Sequence, residues 1–354
     1  MFELLGITPQ GLVAQLLVGL INGSFYAILS LGLAIIFGLL NIINFSHGAQ
    51  YTMGAFVAWI GLTQIGQWLG FPDLSINYWF ALILVPLIMA GFGLILERTM
   101  LRRLYHLDHL YGLLLTFGLA LIIEGLFRDW YGISGESYPA PELLQGAIPL
   151  DAIGIILPKY RIWVVVISMI VCFSTWYVIE RTKLGAYLRA GTENPKLLQA
   201  FGVNVPLMIS LAYAYGVGLA GFAGVLAAPI FQVNPLMGSN LIIIVFAVVV
   251  IGGMGSIMGA ILTGLGLGLI EGLTKVFYPE ASSVVIFVIM AIVLLLRPAG
   301  LFGREKRAWT RYESEHKITL CHLVVNRSTA PTARLYLSGV CHEGAVFRTF
   351  CLCI

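Results

Sequence analysis

Apolar stretches about as long as a lipid bilayer is thick recur along most of the chain, and they constrain its fold more than any other feature. A hydrocarbon core about 30 Å thick takes a helix of roughly 20 apolar residues. Runs of that order fall at 11–31, 33–69 with an interruption, 77–97, 110–128, 161–179, 207–229, 238–251, 256–276 and 282–297. Backbone polar groups in lipid must be satisfied within the segment that carries them, so such runs are helical. The expected fold is all-α, a polytopic transmembrane bundle of about eight or nine spans. The run from 238 is short for a crossing and the one from 33 is overlong, so both read as broken or partial helices. Composition agrees: 59% of residues are apolar, 10% are charged and the mean hydropathy is +0.93. An ordinary soluble domain carries about 25% charge and is excluded.

Basic residues orient such a bundle, because loops rich in Lys and Arg stay on the cytoplasmic side. Arg98, Arg102 and Arg103 mark one such loop, and Arg181, Lys183, Arg189 and Lys196 a second. Arg297, Arg304, Lys306 and Arg307 mark the end of the last span. The loop at 129–160 is instead acidic and rich in proline and glycine, and belongs outside. These signs place the amino terminus outside and the carboxyl terminus in the cytoplasm. The first ten residues lack a basic n-region and lead into a long apolar block, so they read as uncleaved. Trp68, Tyr78, Trp79, Trp130, Tyr131, Trp163, Trp176 and Tyr177 lie at block ends and suit interfacial anchoring, although lipid-facing packing explains them as well.

The chain divides at Gly303. Residues 1–303 hold twelve Lys plus Arg against thirteen Asp plus Glu, whereas 304–354 hold eight against four and four of the five cysteines. The first part reads as the transmembrane domain and the second as a disordered or artefactual cytoplasmic tail. Cys321-His322 and Cys341-His342 match no zinc-ligand spacing, so no metal site is expected.

Within the membrane domain the most informative segment is Asn41-Ile-Ile-Asn-Phe-Ser-His-Gly48, a polar interruption of a long apolar run. Irregular backbone at membrane depth persists only where protein or a water-filled cavity satisfies it. Transporters use such breaks to present free backbone groups to a solute. A short loop between two helices, capped by His47, is the alternative.

The basic loop at 180–206 is longer than a tight turn needs. Asn194-Pro195 suits a helix start, Leu197, Leu198 and Phe201 read as one apolar face, and Gly202 suits a helix end. A soluble partner could grip such a helix, or the loop could be a solvated segment that only fixes topology. Glycines crowd the later spans, among them Gly216, Gly218, Gly221, Gly224, Gly264 and Gly268, and small residues let helices approach closely in lipid. The run Gly216 to Gly221 matches a dinucleotide fingerprint, but no strand precedes it and the match is chance. Of the acids, Glu124 reads as intramembrane and paired with Arg128 four residues on; Glu97 and Glu271 lie near block ends and read as wet. No phosphate-binding GxxxxGK[ST] occurs, so an ATP-driven version must borrow its motor.

The order and spacing of several motifs resemble one family. They begin at Leu20-Ile-Asn-Gly-Ser-Phe-Tyr-Ala27, Leu31-Gly-Leu, Asn41 and Asn44-Phe-Ser-His-Gly48, and continue through Glu97-Arg98 and Leu115-Thr-Phe-Gly118. The 180–206 loop adds Thr182, Gly185, Arg189-Ala190, Asn194 and Gly202-Val203. Ala220-Gly-Phe-Ala-Gly224, Val250-Ile-Gly-Gly-Met-Gly-Ser256 and Arg297-Pro-Ala-Gly-Leu-Phe-Gly303 close the series. Over roughly residues 8–303 the chain resembles the permeases of high-affinity branched-chain amino acid ABC importers.

The resemblance implies a bacterial inner-membrane subunit that pairs with a second permease, docks two cytoplasmic ATPases and receives solute from a periplasmic binding protein. It implies no cofactor on this chain, with ATP and Mg on the ATPases, and no nucleic-acid partner. The implied translocation path takes in Asn22, Tyr26, Asn41, Asn44, Phe45, Ser46, His47, Gly48 and Thr116. The implied ATPase coupling loop takes in Thr182, Gly185, Arg189, Ala190, Glu193, Asn194, Ala200, Phe201 and Gly202. Related permeases for urea, short amides or aromatic acids are the nearest alternative. An ion-coupled carrier needs paired intramembrane acids, and an intramembrane hydrolase needs a partner for His47; the residues supply neither.

Overall fold

The computed structural model describes residues 8–40, 44–65, 77–105, 107–150 and 155–303. Asn41 and the 304–354 segment, including its Cys-His pairs, lie outside the described residues. The helices are α1 (Pro9–Leu40), α2 (Ser46–Thr63), α3 (Tyr78–Thr99), α4 (His109–Tyr131), α5 (Lys159–Arg181), α6 (Lys183–Glu193), α7 (Pro195–Ala200), α8 (Val205–Ala227), α9 (Met237–Gly252), α10 (Ile257–Phe277) and α11 (Val285–Leu296). Six of them, α1, α3, α4, α5, α8 and α10, are long and apolar enough to cross a membrane, while α9 and α11 are shorter apolar helices.

Two boundaries depart from the sequence pattern. The first helix does not stop near residue 32 but continues to Leu40, 32 residues in all. At 1.5 Å per residue it is about 48 Å long, more than a bilayer core requires. Gly32 does not break it, because that glycine is packed against the Gly216 carbonyl and the His47 ring. The overlong second run therefore gives its beginning to α1, and α2 starts at Ser46. The second departure is in the acidic loop, where strands β1 (Ala147–Leu150) and β2 (Ile155–Pro158) pair antiparallel. The same loop is tied to the segment after α8 by two backbone hydrogen bonds between Glu136 and Val233, each 2.9 Å.

Helix starts follow local chemistry. Asn77 caps α3, Asp108 caps α4, Asn194 caps α7, Asn204 caps α8 and Ser256 caps α10, each side chain accepting from a backbone N–H of the first turn. Such caps satisfy donors that the helix itself leaves free.

The bundle is organised around α1 and α8, which are apolar on every side as befits core helices. Their spanning windows are 83% and 78% buried, against 28%, 22% and 22% for α3, α4 and α5. Glycine makes the inner contacts possible. On α1 and α10, Gly19, Gly23 and Ala27 face Gly264, Gly268 and Gly272 at four-residue spacing, backbone against backbone. A Cβ on Gly264 would lie 2.7 Å from the Ala27 nitrogen, and one on Gly268 would overlap Gly23. Gly54 of α2 meets Gly221 of α8, and Gly216 of α8 meets Gly32 of α1. At one end of the bundle the Tyr160 hydroxyl donates to the Leu226 carbonyl (2.9 Å) and pairs with Tyr78 (3.1 Å), which also accepts from Trp163. Tyr78 and Trp163 therefore join α3, α5 and α8, whereas Trp130 and Tyr177 are largely exposed.

The α1–α10 contact is open to a matched test. Gly268→Val should lower the thermal midpoint of the detergent-solubilised protein, with a cost of about 1–3 kcal/mol from overpacking. Gly266→Val on the same helix meets nothing within 4 Å and should leave the midpoint close to wild type.

Candidate functional site

Within the polar interruption, Asn44 and Phe45 lead into α2 and Ser46, His47 and Gly48 begin its first turn. Asn44, Ser46, His47 and Gln50 are each at most 1% exposed. Ser46 Oγ donates to Asn44 Oδ1 (2.6 Å), and Gln50 Nε2 donates to Ser46 Oγ (3.1 Å). The amide groups of Asn44 and Gln50 both donate to the Tyr213 hydroxyl of α8 at 3.3 Å. The Phe45 N–H donates to Thr116 Oγ1 of α4 (3.2 Å), and Thr116 Oγ1 donates in turn to the Leu113 carbonyl (3.0 Å). The Phe45 ring packs edge-on against Phe117 and stacks on Phe246 of α9. Four elements thus meet at the start of α2.

The structure brings Asn44, Phe45, Ser46, His47, Gly48 and Thr116 into this one region. Asn22 and Tyr26 are elsewhere. Asn22 is half-buried on α1, and the Tyr26 hydroxyl donates to Glu271 of α10 (2.7 Å), within a separate apolar cluster containing Ala247, Ile251 and Ile286. Gln50 and Tyr213 were not singled out in the sequence. Gln50 follows Ser46 by one helical turn and was legible in principle; Tyr213 lies 163 residues from Gln50 and needs the fold.

A second polar group lies one turn along α8. Glu97, at the end of α3, is 1% exposed and accepts from Ser210 Oγ (2.5 Å) and from the Tyr105 hydroxyl (2.7 Å). Glu271 is also buried, held by Tyr26 and by Lys275 at 2.5 Å. Both acids were read as wet from their place at block ends. The correction has a simple cause: hydroxyl and ammonium donors replace the water that a buried carboxylate loses. In the connection after α3, burial raises the Tyr105 phenol well above its ordinary pKa and the Glu97 carboxylate adds to the effect, so it remains a donor. Glu124 pairs with Arg128 as the four-residue spacing suggests, and also accepts from Ser239 of α9.

The 180–206 loop folds as α6 and α7. Gly185 is buried against the Ile179 carbonyl with no space for a Cβ, and Thr182 Oγ1 donates to the Val178 carbonyl. Arg189 bridges back to Glu180 at 2.5 Å. The Ala190 carbonyl accepts from Asn194 N, and Asn194 Oδ1 accepts from Leu197 N, each at 3.0 Å. Glu193 is the last residue of α6. Ala200, Phe201 and Gly202 end α7, with Gly202 at φ +82° in the left-handed region that glycine adopts freely. Leu197, Leu198 and Phe201 do not form one face. Leu198 is 7% exposed, while Leu197 and Phe201 are 55% and 78% exposed. The spacing allows one face, since 201 is three residues from 198 and four from 197, but packing against the bundle buries Leu198 and leaves Leu197 and Phe201 exposed.

The last two motifs meet. The Leu301 N–H donates to the Ile251 carbonyl (2.8 Å) and the Phe302 N–H to the Gly252 carbonyl (3.1 Å). Gly253 and Gly300, both at positive φ, pack backbone to backbone at this junction.

A bundle of membrane-length helices with buried polar groups gathered at the start of α2, and with a helical pair carrying exposed apolar side chains between α5 and α8, is consistent with the class of membrane permeases. The match to family models makes this specific: residues 15–294 match the permease component of the branched-chain amino acid transport system, and the chain belongs to that family. Among curated relatives, the high-affinity branched-chain amino acid transport system permease protein BraD of Pseudomonas aeruginosa is 31% identical over 300 residues, covering 82% of this chain and 96% of the relative. Its counterpart LivH of Escherichia coli K12 is 27% identical with the same coverage. The probable branched-chain amino acid transport permease LivH of Methanocaldococcus jannaschii is 26% identical, covering 80% of this chain and 90% of the relative. No solved structure matches the chain.

The Tyr213 hydroxyl holds two buried amide donors, and its removal should be felt in the whole fold. Tyr213→Phe is expected to cost about 1–3 kcal/mol for each donor left unpaired. Thermal unfolding of the purified protein would show this as a clear drop in midpoint, and an unchanged midpoint would mean the hydrogen bonds contribute nothing.

Proposed function

We propose that the chain is a permease subunit of an ATP-driven importer that moves leucine, isoleucine and valine across a bacterial inner membrane. In this reading it pairs with a second permease, receives solute from a periplasmic binding protein and docks two cytoplasmic ATPases that bind ATP and Mg. The amino terminus lies outside and the carboxyl terminus in the cytoplasm. The family match over residues 15–294 supports the class of solute named in its relatives.

The observation that carries the reading is the α6–α7 pair. Leu197 and Phe201 are exposed together on a short helix that is anchored through Leu198, and Arg189 fixes the pair to the end of α5. A rigid element with two exposed apolar side chains fits a cleft in a soluble partner. Closure of that partner around nucleotide would then be passed as a rigid-body displacement into α5 and α8, the helices the pair connects. The buried acids favour this reading over a proton-coupled carrier. Glu97 and Glu271 belong to separate clusters, each already engaged by fixed donors, and do not form a relay.

Phe201→Asp tests the docking directly. The variant permease should reach the membrane at wild-type level, while co-purification of the ATPases and leucine uptake fall about tenfold, equivalent to about 1.4 kcal/mol of lost binding. Undiminished ATPase capture and uptake would remove the coupling role from this element.

A further inference from the structure

The loop between α4 and α5 has two unlike parts. The first carries Glu136 and Glu142, and the backbone of Glu136 is bonded to Val233 after α8. The second is the β1–β2 pair, in which none of the eight strand residues is polar or charged. Register puts Ala147 opposite Pro158 and Pro149 opposite Ile156, so these four share one face. Ala147, Pro149 and Ile156 are exposed on it, Ile156 at 73%, and Ile148 on the other face is exposed as well. Contiguous apolar surface of this kind marks a place where something else packs.

Where the pair is attached identifies what covers it. Pro158 is the N-cap of α5, and the Lys159 N–H donates to the Gly146 carbonyl (3.1 Å), so both strands are fixed to the first residue of a membrane-length helix. Ile156 precedes Lys159 by three residues and lies within about 11 Å of it. A headgroup layer is of the same order, roughly 5–8 Å beyond each side of the hydrocarbon core. Lys159, Val166, Ile170, Phe173 and Tyr177 are exposed along one side of α5 at helical spacing, so the pair adjoins the end of an outward apolar stripe. Exposed Trp130, in the last turn of α4, stands at the other end of the loop, and tryptophan favours the headgroup level. Pro149 and Pro158 have no N–H, so the pair offers fewer edge donors to an added strand of protein and fewer backbone groups that poor hydration would leave unmet. We infer that the face carrying Ala147, Pro149 and Ile156 lies in the headgroup–acyl boundary of the bilayer, making the β1–β2 part of the loop a membrane-surface element. Its partner is phospholipid. The upper acyl chains receive Pro149 and Ile156, and the Lys159 ammonium at the base of the pair meets the phosphates. Surface elements of this kind bury their apolar side about 5–10 Å deep. At that depth headgroup water still reaches the strand edges, which the hydrocarbon interior would leave unsatisfied.

Depth-resolved fluorescence of the full-length protein in phosphatidylcholine nanodiscs provides the test. Cys321, Cys341, Cys351 and Cys353 are replaced by serine, Cys172 is buried and kept, and an environment-sensitive fluorophore is attached at Ile156→Cys or, as a control on the acidic part of the loop, at Glu142→Cys. The label at 156 should emit further to the blue than the label at 142. It should lose intensity to lipids that carry a nitroxide high on the acyl chain, and be protected from aqueous iodide, whereas the label at 142 should show the reverse. Iodide quenching as strong at 156 as at 142 would mean a solvated face and would overturn the inference. Protection at 156 from both iodide and the lipid nitroxide would mean that protein covers the face, and overturns it equally. If Ile156→Cys does not yield a monodisperse protein, Ala147→Cys on the same face gives the same reading.

Discussion

Contact between glycine backbones is the interaction on which the rest of this structure depends. In lipid there is little hydrophobic gain from bringing two apolar helices together, so association rests on close packing and on hydrogen bonds across the interface. Gly19, Gly23 and Ala27 against Gly264, Gly268 and Gly272 let α1 and α10 approach until main chains touch. The same device at Gly54 and Gly221 sets α2 against α8. That approach puts the first turn of α2 within reach of Tyr213, and only at this separation can Asn44 and Gln50 share its hydroxyl. Polar chemistry in the middle of the bundle is thus a consequence of missing side chains elsewhere.

Much of the architecture was legible in the sequence because membrane helices must satisfy their own backbones. Length and hydropathy located the apolar elements, and the polar stretch at 41–48 marked where the long run divides. The error at residue 32 shows the limit of that logic. A glycine in an apolar run is a break or a packing surface depending on what faces it, and Gly216 lies 184 positions away in sequence. The buried state of Glu97 was hidden for the same reason, since one of its donors, Ser210, comes from a distant helix. Leu198 differs from Leu197 and Phe201 in burial and not in helical spacing, a difference set by what each side chain packs against in the fold.

The candidate site was partly legible. Asn44, Phe45, Ser46, His47 and Gly48 form one region because they are neighbours in sequence, and Thr116 joins them through a single hydrogen bond to the Phe45 backbone. Asn22 and Tyr26 lie on the same helix as the residues that meet His47, yet Tyr26 is committed to Glu271 and a different cluster. Sharing a motif series does not place residues in one site; the direction in which each helix presents its side chain decides that.

The junction of the last two motifs has a mechanical consequence. α9 has 16 residues, about 24 Å by helical rise, and falls short of a bilayer core. Its terminal carbonyls are reached by the amides of Leu301 and Phe302 rather than by water. The chain that leaves α11 therefore acts as a tether: α9 cannot slide along its axis unless the segment after α11 travels with it. Two short helices, separate in sequence, are yoked into a single lever whose stiff joint is made of paired main chains.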